Sequence, residues 1–115
     1  MQIRTESFNR NAKIYLSGPM TGLPDYNKDA FKLRAEILRN KGFHVNNPAE
    51  ISDKHGLDKP YGFYLRKALQ QLLDSDVVYV FGDITNSKGA QMEIKIAQTI
   101  GMPVYWGVCF EVYEI

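Results

Sequence analysis

Glu93 is the residue in this sequence whose type and placement most clearly ask for a chemical explanation. On a helical wheel over residues 88–100, Ala90, Ile94, Ala97 and Ile100 make one apolar face, and Glu93 falls inside that arc rather than opposite it. A helix that covers a core ordinarily carries an apolar residue there. A carboxylate leaning into a partly dry region, within about two turns of a helix N-terminus, is held by the helix dipole and nearby donors, and desolvation tunes its affinity for a proton. Such a group can act as a nucleophile or a base. The pattern alone leaves a second reading open, in which Glu93 sits at the edge of the stripe and reaches water or a lysine.

Other chemistries find few residues to use. With two histidines, His44 and His55, and one cysteine, Cys109, no zinc-ligand spacing can be assembled and no internal disulfide can close, which fits a reducing cytoplasm. The 14 basic and 13 acidic residues nearly cancel to a net charge of +1, and no block of like charge is available to track a phosphate backbone, so polymeric nucleic acid is not the expected partner. Met1 to Arg10 lacks an apolar targeting core, and the longest apolar run, Val77 to Phe81, is far too short to cross a bilayer. Export and membrane insertion are not expected.

The elements that must position Glu93 follow from pattern. Lys13 to Ser17 predicts a first strand, ended by the turn-rich Ser17-Gly18-Pro19-Met20-Thr21-Gly22. From Asp25 to Lys41, Ala30, Phe31, Ala35, Ile37 and Leu38 share one side of a helix that Gly42 ends. Phe43 to Asn46 predicts a short strand, and Asn47 to Pro60 a long loop of the kind that often serves a site. Tyr61, Tyr64, Leu65, Ala68, Leu69 and Leu72 share the apolar face of a second helix. Asp76 to Phe81 reads as a central strand buried on both faces. Ser87 is the expected N-cap of the third helix, which ends near Ile100 with Gly101 beyond it, and Pro103 leads into a strand at Val104-Tyr105-Trp106. The tail from Gly107 to Ile115 is a candidate edge strand.

At 115 residues and 44% apolar content the chain suits one domain. The alternation of strands and helices implies an α/β sandwich of flavodoxin or Rossmann type, with a mostly parallel four- or five-stranded sheet, helices on both faces, and residues 1–11 as a loose lead-in. Ligands of such sheets bind at the carboxyl ends of the strands, which places the site among Ser17 to Gly22, Asn46 to Glu50 and Gly82 to Gly89.

Three pieces carry a family resemblance: Ile14-Tyr15-Leu16-Ser17-Gly18-Pro19, Leu69 to Tyr79, and Ser87-Lys88-Gly89-Ala90-Gln91-Met92-Glu93. In order and spacing they resemble the nucleoside 2-deoxyribosyltransferase superfamily over most of the chain from Lys13 to Val104. The resemblance is nearest to a small phage and bacterial branch related to the deoxynucleoside monophosphate N-hydrolases. The S-x-G-x-x-x-E segment, opening a helix after a buried strand, is the most specific of the three. The resemblance implies that Glu93 attacks the anomeric carbon of a deoxyribose, the base leaves, and a glycosyl ester forms that water or a second base resolves. It places Tyr15 as a hydrogen-bond donor to that nucleophile, although a tyrosine in a strand also suits a core. Ser87 matches a position that touches the ligand's sugar or phosphate, and Ser17, Gly18, Pro19, Met20, Asp83, Gly89, Tyr64 and Ala68 are the remaining candidate pocket residues. Gly18 and Gly89 would admit a ligand close to the backbone or answer local turn needs.

Two departures from the family stand out. Its general acid is an aspartate eight positions before the one that begins the central strand; counting back from Asp76 gives Ala68. Asp83, after that strand, is better placed to substitute than Asp76, and Tyr64 lies one turn from Ala68 on the same face. The monophosphate hydrolases carry serine and arginine where this chain has Pro19 and Thr21, which favours a nucleoside, or a phosphate held differently, with Lys88 in reach. The expected activity is hydrolysis or transfer at the N-glycosidic bond of 2-deoxynucleosides or their monophosphates; the alternative is a noncatalytic nucleotide-binding module. No metal or other cofactor is expected. The resemblance implies a small-molecule partner, a homodimer or larger homo-oligomer to which Tyr105, Trp106, Phe110 and Tyr113 offer an aromatic surface, and a bacterial or phage-infected cytoplasm.

Overall fold

Branched and aromatic side chains alternate between the two faces of each central strand, and that alternation builds two cores. The structure, a computed structural model, describes residues 2–4, 11–108 and 111–114. Strands β1 (Gln2–Arg4), β2 (Lys13–Ser17), β3 (His44–Asn46), β4 (Val77–Val80), β5 (Val104–Val108) and β6 (Glu111–Glu114) form one sheet in the order β1-β6-β5-β4-β2-β3. Strands β3, β2, β4 and β5 pair in parallel, and β6 and β1 extend the sheet antiparallel beyond β5. Helices α1 (Lys28–Asn40), α2 (Ile51–His55), α3 (Tyr61–Leu73) and α4 (Lys88–Thr99) lie in the connections.

Ile14 and Leu16 of β2, with Val77 and Tyr79 of β4, pack against Phe31, Ala35 and Leu38 of α1 on one face. Their neighbours Tyr15, Val78 and Val80 point the other way and meet Ala68 and Leu72 of α3 and Ala97 of α4. Register reinforces the layering, since Ile14 sits opposite Val77 and Tyr15 opposite Val78. The expected α/β architecture, parallel sheet and helices on both faces are present. All four residues of β4 are buried, as a central strand requires.

The differences have local causes. The sheet has six strands, because the tail and residues 2–4 add an antiparallel pair through backbone bonding that hydropathy does not signal. The expected loose lead-in therefore contributes an edge strand at 2–4. The tail strand β6 is not itself the edge. The long loop from Asn47 to Pro60 contains structure: the Asn47 side chain accepts a hydrogen bond from the Ala49 N–H at 3.0 Å, Pro48 begins a 3-10 turn through Glu50, and buried Ile51 opens α2. Helix α1 starts at Lys28 rather than Asp25, because Asp25, Tyr26 and Asn27 hold left-handed φ angles of 50°, 53° and 62°. Ile100 caps α4 and is exposed, so its buried face runs Ala90, Glu93, Ala97. Tyr105 and Trp106 are half-buried; Cys109 and Phe110, and the side chain of Tyr113, lie outside the described residues. Among the described residues no helix is long and apolar enough to cross a membrane.

Candidate active site

Two residues of β2 and one of α4 make the chemical centre. The two-residue period of a strand sends Tyr15 and Ser17 to the same face, the one that α4 covers, and both hydroxyls meet Glu93 there. The Tyr15 phenol donates a short hydrogen bond to Glu93 Oε2, and Ser17 Oγ donates to Oε1 at 2.9 Å. Each carboxylate oxygen thus has one fixed donor and keeps further lone pairs free. Glu93 is 7% exposed and Tyr15 fully buried.

Burial and hydrogen bonding oppose one another at this carboxyl. Desolvation pushes Glu93 up from the ordinary 4.5 to about 6, and the bonds from Tyr15 and Ser17 restrain that rise. Burial, and next the charge and hydrogen bond of Glu93, push the Tyr15 phenol well above its ordinary value, so Tyr15 stays protonated and remains a donor. At neutral pH the pair is a carboxylate held by a phenol, with the charge on the glutamate.

A cavity of about 620 Å3 opens onto this pair at the carboxyl ends of the strands, with both Glu93 and Tyr15 in its wall. Of the anticipated pocket residues, Gly18, Met20, Ser87, Gly89, Tyr64 and Ala68 line it. Ser17 lies behind Glu93, which it positions, and does not reach the cavity. Pro19 also stays outside; its carbonyl accepts from Asn27 Nδ2 at 3.0 Å. Asp83 is exposed, its carboxylate accepts from the Thr85 N–H at 3.0 Å, and hydrogen bonds from Thr85 hold it below the ordinary range. It does not line the cavity, whereas Ala68, where the resemblance leads to the expectation of an acid, does. Asp76 accepts from the Lys13 N–H at the other end of β2.

The glycines separate into two cases. A Cβ on Gly18 would stand 2.9 Å from the Phe81 ring, so core packing demands that glycine. A Cβ on Gly89 would meet the Tyr61 hydroxyl at an ordinary 3.6 Å. Ser87 acts as the N-cap, its hydroxyl accepting from the Ala90 N–H at 3.3 Å, while also facing the cavity. Ser87→Ala is expected to lower stability by about 1 kcal/mol, the usual value of such a cap, with the loss read from urea unfolding. An unchanged midpoint would leave Ser87 without a structural role.

Sequence reasoning marks Asn47 to Pro60 as a loop that could serve a site but names no site residue after Glu50 in it and no helix there. Ile51, Ser52, Leu57 and Lys59 line the cavity, as do Tyr26, Lys28 and Phe31. Tyr61, expected on the apolar face of its helix, is 63% exposed beside the cavity. Tyr64 ties α3 to this wall: its hydroxyl donates to the Gly56 carbonyl at 2.6 Å and accepts from the Lys59 N–H at 3.1 Å. Lys28 is ion-paired to Asp53 of α2 at 2.9 Å. The short length of α2 is what hid this wall, since five residues set no helical periodicity. Among the described residues, Glu93 is the one carboxylate lining the cavity, and no group of three or more metal-ligating side chains is present.

A family model described as "Domain of unknown function (DUF4406)" matches residues 12–106. No curated protein matches the chain. Among solved structures, a 2-deoxyribosyltransferase from the psychrotolerant bacterium Bacillus psychrosaccharolyticus is similar in fold, with a TM-score of 0.63 and 21% sequence identity over 83% of this chain and 71% of that one.

Proposed function

The chain belongs to the DUF4406 family, and from that footing we propose that it cleaves the N-glycosidic bond of 2-deoxynucleosides or their monophosphates, with Glu93 as nucleophile. The single observation that carries this reading is a nearly buried carboxylate, held on both oxygens by Tyr15 and Ser17, at the wall of a cavity large enough for a nucleoside. The fold shared with a 2-deoxyribosyltransferase supports it.

In this mechanism the ionised Glu93 attacks the anomeric carbon, and the bond to the base breaks with its electron pair leaving on the base. The glycosyl ester is then resolved by water or by a second base. Tyr15 and Ser17 orient the carboxylate and keep it from drifting to another rotamer. A negative group beside the anomeric carbon also stabilises the oxocarbenium character of the transition state. Incubation with each deoxynucleoside and deoxynucleoside monophosphate, followed by chromatography, is expected to show free base. No release beyond that of a Glu93→Gln control would sink the proposal.

Ala68 in the cavity wall favours a second reading, a nucleotide-binding module without turnover. That reading expects calorimetric binding of a nucleoside or nucleotide with no base released.

A further inference from the structure

The cavity holds a nucleophile but no committed acid, and that asymmetry bears on which base can leave. Of the phenols in its wall, Tyr15 donates to Glu93 and Tyr64 donates to the Gly56 carbonyl, so both protons are engaged. Lys28 is paired with Asp53. Of the remaining phenols and ammonium groups among the described lining residues, Tyr26, Tyr61, Lys59 and Lys88 are exposed to solvent, and the other polar side chains there, Thr21, Ser52, Asn86 and Ser87, are neutral hydroxyls and an amide that are not proton-donating acids. Glu93 is ionised above about pH 6 and is the only carboxylate among the described lining residues. An ordinary neutral base leaves as an anion unless it is protonated, and withholding that proton slows the step by about 100- to 10,000-fold.

We propose that the preferred substrates of this site are N-glycosides of positively charged heteroaromatic bases, such as N-alkylated purines and pyridinium bases, which depart without being protonated. The inference rests on the glycosidase reading above and specifies its substrate class. The step balances without an acid. The Glu93 carboxylate forms the bond to the anomeric carbon, the carbon–nitrogen bond breaks, and its electron pair neutralises the cationic ring. An anion and a cation thus become a neutral ester and a neutral base. Water then hydrolyses the ester, which releases the sugar and returns the Glu93 carboxyl, whose proton passes to solvent.

The wall supports the same class. Ala68 and Leu65 give an apolar surface, and Tyr26, Tyr61 and Tyr64 bring three aromatic rings to the wall, a side-chain type that attracts flat cations. A buried carboxylate in a region of low polarity also pairs more strongly with a cationic substrate than with a neutral one. Lys59 and Lys88, the exposed cations of the wall, are free to extend into solvent or to meet a phosphate on the substrate.

The test compares 7-methyl-2′-deoxyguanosine with 2′-deoxyguanosine, following free base by chromatography at neutral pH with Glu93→Gln as control. The wild-type protein is expected to favour the methylated nucleoside by at least about 100-fold in kcat/KM, the lower end of what a general acid supplies. The variant Ala68→Asp is expected to narrow that ratio at least about tenfold by accelerating the neutral member. A wild-type ratio below about 100, or a ratio that Ala68→Asp leaves unchanged, overturns the inference while leaving the glycosidase reading in place. Absence of base from both nucleosides beyond the Glu93→Gln control also overturns the inference, and the screen of all deoxynucleosides and monophosphates then decides the glycosidase reading. The wild-type comparison stands by itself if the variant fails to fold.

Discussion

Replacing Glu93 with glutamine is expected to lower base release by about four orders of magnitude while the protein stays folded. Glutamine preserves shape and volume but has no charge with which to attack the anomeric carbon. The site can accommodate it: one hydroxyl still donates to the amide oxygen, and the other can rotate to accept from the amide nitrogen, because Tyr15 and Ser17 both carry oxygens able to do either. The variant should therefore keep its circular dichroism and bind a nucleoside, and the loss should fall on the chemical step. Single-turnover release separates the two. Retention of activity within about tenfold of wild type would remove Glu93 from the nucleophile's role.

The second large effect concerns pH. A carboxyl at about 6 in the folded protein, against 4.5 for an ordinary glutamate, binds its proton more tightly folded than unfolded. The stability linked to it is therefore fully present below about pH 4.5 and is lost as pH rises through about 6, a change of about 2 kcal/mol for a group this deeply buried. Glutamine does not titrate, and all other groups are common to both proteins. Glu93→Gln should thus gain about 2 kcal/mol relative to wild type between about pH 4 and pH 7, measured by urea unfolding across that range. Parallel stability curves would show that Glu93 titrates like an exposed side chain. In the proposed mechanism the same group sets the rate, so kcat/KM should fall as pH drops below about 6, where the carboxylate becomes protonated.

The parts of the site carried by long, strongly patterned elements were legible in the sequence. Helix α4 announced itself through its cap at Ser87 and its apolar stripe, and a carboxylate within that stripe had to be buried or at its edge; the structure buries it. Strand β4 was legible from its continuous run of apolar residues. What escaped was set by tertiary placement. Ser17 lies two residues after Tyr15, so its position beside Glu93 follows once the face of β2 is known, yet its hydroxyl is bonded to the carboxylate and it does not line the cavity. Periodicity gave the angle of Tyr61 around α3 but not whether anything covers the first turn of that helix, and there it stands open beside the cavity. Asp83 had a suitable loop and sequence position, but its bond to Thr85 holds it outside the cavity.

Ala68 gives the site its particular character. Its methyl group is buried at a position where the resemblance leads one to expect a proton donor, and the neighbouring phenol of Tyr64 is occupied in holding residues 56–59. In the glycosidase reading proposed above, the site thereby has a nucleophile and lacks a committed acid.

The most direct measurement is the mass of the intact protein after incubation with a nucleoside whose sugar bears fluorine at the 2-position, a substituent that destabilises the oxocarbenium-like transition state and slows hydrolysis of a glycosyl ester. The expected result is a gain of one glycosyl unit, mapped by peptide sequencing to Glu93 and absent from Glu93→Gln. Release of base with the protein mass unchanged, or a label on any other residue, would contradict a glycosyl ester at Glu93.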